Sequence, residues 1–202
     1  MSVLLALAQT LTNLAIVRPG PGLPAGWKLM RMQGVEPPIV EITRSHTMRI
    51  TATGQGGTVT YRLRPAIPPA PSQHQGTISW RWRAGTPLRG ADLKRRAGDD
   101  SPIRVVVTFQ DGRSIAYAWG NRESRGESFA SWAGGNRMVV ILQRAEDADG
   151  SWHEERRDPF TDYRRLWNRA PKPFVSVGFS TDSDALKIRA AAEIGDLTWH
   201  AP

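Results

Sequence analysis

A chain of 202 residues, 40% of them hydrophobic, suits one domain with a real core, since domains usually run about 100–200 residues. The absence of cysteine excludes disulfide stapling, thiolate catalysis and cysteine-ligated metals, and fits an oxidising compartment such as the periplasm. The formal charge of +8 rests on arginine, with lysine only at Lys28, Lys94, Lys172 and Lys187. Guanidinium groups suit anionic partners, but a GC-rich coding bias explains the same usage without one.

The N-terminal stretch Met1–Val17 carries no charged side chain. Ala6-Leu7-Ala8 before Gln9 resembles a leader-cleavage site, but the apolar run Val3–Leu7 is shorter than the usual leader core of about 7–15 residues. Gln9, Thr10, Thr12 and Asn13 interrupt any membrane span, which needs about 20 apolar residues. The expectation is a processed leader, a docking arm or a peripheral membrane contact. The run from Arg18 to Pro24 reads as a Pro/Gly linker. Residues 1–24 are therefore set apart as arm and linker, and residues 25–202 as the folded domain.

Short segments of period two follow. Met48, Ile50 and Ala52 share a face opposite Arg49 and Thr51, and Gly54–Gly57 turns the chain. Val59, Tyr61 and Leu63 then oppose Arg62 and Arg64. Pro65–Ser72 reads as a proline-rich loop. Ile78, Trp80 and Trp82 oppose Arg81 and Arg83. Ile103, Val105, Val107 and Phe109 lead through an Asp111-Gly112 hairpin turn to Ile115, Tyr117 and Trp119. Arg137–Gln143 and Pro173–Ser180 read as central strands, and Ile188–Ile194 as the last. One helix is predicted after Asp158, with Pro159 in its first turn and Phe160, Tyr163 and Trp167 on one face. The pattern predicts an all-β, two-sheet sandwich, jelly-roll-like, with one short helix.

Three groups of residues carry functional expectations. Arg49, Arg62, Arg64, Arg81 and Arg83 all lie opposite apolar faces. Neighbouring strands would make them one basic stripe for an anionic glycan, lipid headgroup, nucleic acid or acidic protein surface; a solvated, aggregation-resistant sheet face is the plainer reading. Trp132 sits in the glycine-rich loop Ser131–Asn136, which gives little local reason to bury an indole, so it is the candidate exposed contact, with a core plug as the other reading. Asp182, Asp184, Glu193 and Asp196 form a candidate structural calcium set. A catalytic carboxylate pair would draw on Asp99, Asp100, Asp182 or Asp184, but ion pairing with Arg104 explains the first two.

Other chemistry is absent. His153-Glu-Glu-Arg-Arg157 lacks the second histidine of a zinc-protease helix, Gly178-Phe-Ser-Thr-Asp182 lacks the second glycine of a nucleophile elbow, and His46, His74, His153 and His200 show no ligand spacing. No RNA-reading aromatic motif, zinc finger or helix-turn-helix is present, so nucleic acid is not an expected partner.

Several segments taken together resemble a bacterial family catalogued as domain of unknown function 3047. They are Trp80–Arg83, Gly98–Arg104, Tyr117–Trp119, Glu155–Asp158 with Asp162–Arg165, and Thr181–Asp184, and they span about residues 27–198. The resemblance implies export and a shared network of acidic and arginine motifs, and no activity. The strand pattern is also similar to the jelly rolls of carbohydrate-binding modules. The leading expectation is a non-catalytic envelope module, periplasmic or membrane-associated, docking on a protein assembly through its arm and Arg/Trp surface. The alternative is a carbohydrate-binding module, and the third reading a carbohydrate-active enzyme using the aspartates.

Overall fold

The computed structural model describes residues 8–71 and 75–202. The leader and anchor readings of Met1–Leu7 and the position of His74 fall outside the described residues. Among the described residues fifteen strands, numbered in chain order, form two sheets. The first holds β1 (Ala8–Thr10), β2 (Gly20–Pro21), β4 (Ile39–Ile42), β5 (Met48–Thr53), β7 (Thr77–Ala84), β12 (His153–Arg157), β14 (Arg189–Ile194) and β15 (Thr198–His200). The second holds β3 (Trp27–Arg31), β6 (Gly56–Ile67), β8 (Ser101–Phe109), β9 (Ser114–Trp119), β10 (Ser128–Ala130), β11 (Arg137–Gln143) and β13 (Phe174–Asp182). The predicted two-sheet sandwich with one short helix, α1 (Pro159–Trp167), is the architecture found.

The alternation sorts side chains as expected. Met48, Ile50, Val59, Ile78, Trp80, Trp82, Val105, Val107, Ile115, Tyr117 and Trp119 all face one core between the sheets. Aromatic rings bridge it: Trp80 meets Tyr117 and Trp82 meets Trp119, each at 5.6 Å between ring centres, in the tilted geometry such pairs favour. Asp158 accepts from the Phe160 and Thr161 backbone N–H groups and caps α1. Phe160 and Tyr163 then pack on Phe109, with ring centres 6.2 and 4.7 Å away.

Period two does not say which sheet a strand joins. The sequence of Gly54–Gly57 suggests a plain turn, yet β5 belongs to the first sheet and β6 to the second, so this segment carries the chain across the sandwich. β6 also runs on through Pro65 to Ile67, where a loop was expected; Pro65 sits where the pairing with β13 loses register, so its missing N–H interrupts no ladder bond. β13 is central, between β6 and β8, as predicted. β11 pairs parallel to β9 and antiparallel to the short edge strand β10.

The N-terminal segment is part of the sandwich as far as it is described. β1 pairs with β15, β2 with β4, and Leu11 and Leu14 are buried in the common core. This corrects the separation of residues 8–24 as arm and linker: Leu11 and Leu14 lie three apart and turn inward together on either side of Thr12. Leu14→Ala is therefore expected to cost about 2–5 kcal/mol, read as a lowered urea midpoint. An unchanged midpoint would show that the segment detaches without loss of the fold.

Candidate functional site

On each strand of the second sheet the residues between the core positions face outward. On β8 these include Arg104 and Val106, and on β13 Ser176, Gly178, Ser180 and Asp182. Over β8, β9 and β11 this outer face is covered: Leu93 packs on Val106, Ala116, Ala118, Val139 and Ile141, with Phe129 alongside. Arg104 is caught beneath the cover, only 5% exposed. A buried guanidinium must be paired. Its Nη2 donates to Asp99 Oδ1 and to the Asp99 carbonyl, both at 2.8 Å, and its Nη1 stands 3.7 Å from Asp182 Oδ2. The pairing expected between the Asp99-Asp100 motif and Arg104 thus forms through Asp99.

Asp100 points elsewhere and accepts the backbone N–H groups of Ala185 (3.2 Å) and Leu186 (2.8 Å), tying down the turn after β13. Gly56 opposes Asp182 across the β6–β13 ladder, and a Cβ there would stand 2.7 Å from Asp182 Oδ1. Glycine at 56 is what lets this carboxyl lie against β6.

The electrostatics of the cluster follow from burial. Desolvation raises the Asp99 carboxyl above the usual aspartate range, against the pull of Arg104 and a hydrogen bond from Trp132. Asp182 is pushed up to about 8 by burial; Arg104 opposes the rise, and the adjoining Asp184 carboxyl adds to it. Two carboxyls this close share a proton more readily than both ionise. Burial also lowers the Arg137 guanidinium, with Arg104 repelling it and Asp99 and Asp182 partly compensating.

Beside this network opens a recess of about 560 Å³, lined among others by Met32, Val35, Arg96, Asp99, Trp132, Asp182 and Asp184. Trp132 is 41% exposed, so it is not a core plug. The Arg96 guanidinium stands 5.5 Å from its ring centre. An exposed indole beside carboxyls and guanidinium groups offers an apolar ring face and hydrogen-bonding groups in one concavity, the composition of a small-ligand site.

The calcium set does not assemble. Glu193 lies on the first sheet, accepting from Arg49, Arg83 and Thr47. Burial works against its charge, but the two arginines hold its pKa below the usual range. Asp196 accepts from Thr12 Oγ1 and the Leu14 and Ala15 backbone N–H groups, pinning the N-terminal segment. Oxygens of Asp100, Asp182 and Asp184 do come within 4.8 Å of one another. Calcium takes about six to eight oxygen ligands, whereas both Asp100 oxygens are engaged by backbone N–H groups and a guanidinium already faces Asp182. Those contacts leave the trio short of the free oxygens a calcium ion would need.

The basic stripe also divides. Arg49 and Arg83 flank Glu193 on β5 and β7, with β14 between those strands. Arg81 and Arg83 stack on Trp152 at 4.8 and 4.9 Å. Arg62 and Arg64 lie on the other sheet. Charge opposite an apolar face says which way a side chain points and nothing of which sheet it joins. Arg96, Arg137 and Trp152 were missed altogether, because only tertiary packing places them beside their partners. The remaining family-like motifs make a second, separate network: Arg157 and Tyr117 both bond the buried Asp162, and Glu155 accepts from Trp82 and Gln143.

Residues 38–198 match the model of the family described as Protein of unknown function (DUF3047). The chain belongs to that family. No curated protein matches the DUF3047 chain. Among solved structures it is similar to the xyloglucanase domain of NopAA, a type three effector from Sinorhizobium fredii in complex with cellobiose: 8% identity, 98% of this chain against 100% of that one, TM-score 0.53. An arabinose-bound α-L-arabinofuranosidase, MgGH51, matches at 11% identity over 96% of this chain and 26% of that one, TM-score 0.46. A mutant of ENZbleach xylanase matches at 10% identity over 96% and 84%, TM-score 0.41. At such identities the likeness is one of fold.

The protonated Asp182 carries a pH signature. In the unfolded chain aspartate releases its proton near pH 4, whereas in the folded protein it holds it to about 8. Between those values the folded state binds the extra proton, so stability is full below the window and falls as pH rises through it, by at most about 1.4 kcal/mol per pH unit. Asp182→Asn is expected to flatten that slope in urea titrations at pH 4.5–8. Parallel slopes in the two proteins would place the shared proton elsewhere.

Proposed function

We propose that this DUF3047 chain is a carbohydrate-binding β-sandwich module whose sugar site is the Trp132 recess. The observation that carries the reading is the half-exposed Trp132 ring in one concavity with Arg96, Asp99, Asp182 and Asp184. Sugar rings present an apolar face, which stacks on an indole, and an edge of hydroxyls, which carboxyls and guanidinium groups hydrogen-bond. A protonated Asp182 donates as well as accepts, and Arg104 holds Asp99 in place. The similarity in fold to a xyloglucanase domain that holds cellobiose supports the reading at the level of scaffold alone. An exported protein would meet polysaccharide in the cell envelope, and that location belongs to the same proposal.

Docking on a protein assembly through an N-terminal arm has less support, since residues 8–21 are committed to the sandwich. A hydrolytic reading has one specific point in its favour: a carboxyl protonated near neutral pH shares the recess with a second carboxyl bonded to arginine, the unequal pair that glycoside hydrolysis uses.

Binding of cello- and xyloglucan oligosaccharides by isothermal titration calorimetry tests the lead. Trp132→Ala is expected to lower affinity at least tenfold while leaving the melting temperature within a few degrees, about the shift that 0.5 kcal/mol produces. No binding to any envelope or plant polysaccharide would sink the module reading. Release of reducing ends by the parent protein, abolished in Asp182→Asn, would replace it with the hydrolytic one.

A further inference from the structure

The outer face of the second sheet carries another concavity toward the opposite end of β13. It measures about 540 Å³ and is lined by Gly26, Lys28, Thr60, Tyr61, Arg62, Arg64 and Ser176. Lys28 on β3 and Arg62 and Arg64 on β6 bring three cations to it, and no carboxylate lines it. None of the three forms an ion pair among the described residues, whereas Arg49, Arg83, Arg104, Arg113, Arg125 and Arg157 are all committed to acids. Unneutralised charge of one sign in a concave site attracts the opposite charge.

The two concavities share a sheet face. Ser176, which lines the basic one, and Asp182, which lines the Trp132 recess, both point outward from β13. Six residues of strand place them about 20 Å apart. Between them the outward positions of β13 are the buried Gly178 and Ser180, so the path between the two sites runs beside the half-buried Thr58 and Thr60 that oppose them on β6; a Cβ at Gly178 would stand 2.6 Å from the Val59 carbonyl. No bulky side chain rises from β13 between the two sites.

We infer that the ligand is an acidic polysaccharide, laid along β13 with one ring on Trp132 and a uronic acid carboxylate seated among Lys28, Arg62 and Arg64. The inference rests on the sugar-binding reading and adds the class of sugar. Arginine forks match a planar carboxylate in bidentate fashion. The two sites then act as linked contacts on one chain, so a ligand too short to span them gains from only one.

The test titrates the parent protein with oligogalacturonate long enough to span 20 Å, with the same oligomer carboxyl-reduced to a neutral form, and with dextran sulfate. The expected result is at least tenfold tighter binding of the acidic oligomer than of its neutral form at 20 mM NaCl, narrowing at 300 mM as screening grows. The double variant Arg62→Ala/Arg64→Ala should bind both forms at the neutral level with an unchanged melting temperature, and Trp132→Ala should weaken both. Should the pair misfold, Arg62→Gln alone is read for the same loss of salt dependence. Equal affinity of the parent protein for acidic and neutral oligomers would overturn the inference and leave the sugar-binding reading standing. Dextran sulfate binding as tightly as oligogalacturonate, or acidic binding untouched by Trp132→Ala, would reduce the basic concavity to an ion-exchange patch and overturn it as well. Binding of neither oligomer would remove the reading beneath it.

Discussion

The candidate site is organised around one buried cation. Arg104 stands on a strand otherwise made of apolar and small polar residues, under the layer that Leu93 builds on the second sheet. Removing a guanidinium from water costs several kcal/mol unless acids meet it with good geometry. That requirement sets where the chain can run on either side. The stretch before β8 must bring Asp99 within 2.8 Å, and the end of β13 must deliver Asp182 to the same head group. The turn after β13 is then held by Asp100, and β6 must offer glycine at 56. The recess beneath Trp132 is the space these constraints leave open.

The same principle, met differently, separates a structural acid from a chemically available one. Glu193 is as deeply buried as Asp182, yet two arginines bond it directly and it stays ionised. Such a group pins strands together and has little left to offer a ligand. Asp182 has the more distant end of one guanidinium, a long hydrogen bond from the Asp184 backbone N–H and another carboxyl for company, so burial prevails and it keeps its proton. Asp196 makes a third case, saturated by backbone and hydroxyl donors. Three carboxyls that look equivalent in a list of acidic residues therefore have distinct fates, decided by how many donors reach each one.

This explains how much of the molecule was legible beforehand. Strands announce themselves because a half-buried strand must alternate, and the inward set Met48, Ile50, Trp80, Trp82, Val105 and Val107 is the one buried. The cap of α1 was legible for the same reason: Asp158 and Pro159 act locally. Sheet membership was not. Gly54–Gly57 serves a hairpin and a crossover equally well, and only the second keeps β5 and β6 in different sheets. The acidic clusters were not legible either, since Asp99 and Asp182 meet only after two strands pair in register. Trp132 stood out because its loop offered no apolar neighbours to bury it, whereas Arg96 beside it is one arginine among many.

A shared scaffold with carbohydrate-active domains, at 8% identity, transmits a pattern of layers and none of the side chains that touch a ligand. Any chemistry must be rebuilt from what each chain hangs on that frame. Here the frame presents an outer sheet face that is covered over β8, β9 and β11, and the two concavities open beyond that cover. Along β13 its character changes from an aromatic ring with carboxyls at one end to unpaired cations at the other. That polarity has no counterpart in the demands of folding: a sandwich core is indifferent to whether the solvent side of β6 ends in arginine or threonine. A surface charge pattern that stability does not require, placed on a sheet face with two concavities in line, is the physical ground for looking to an extended, anionic chain.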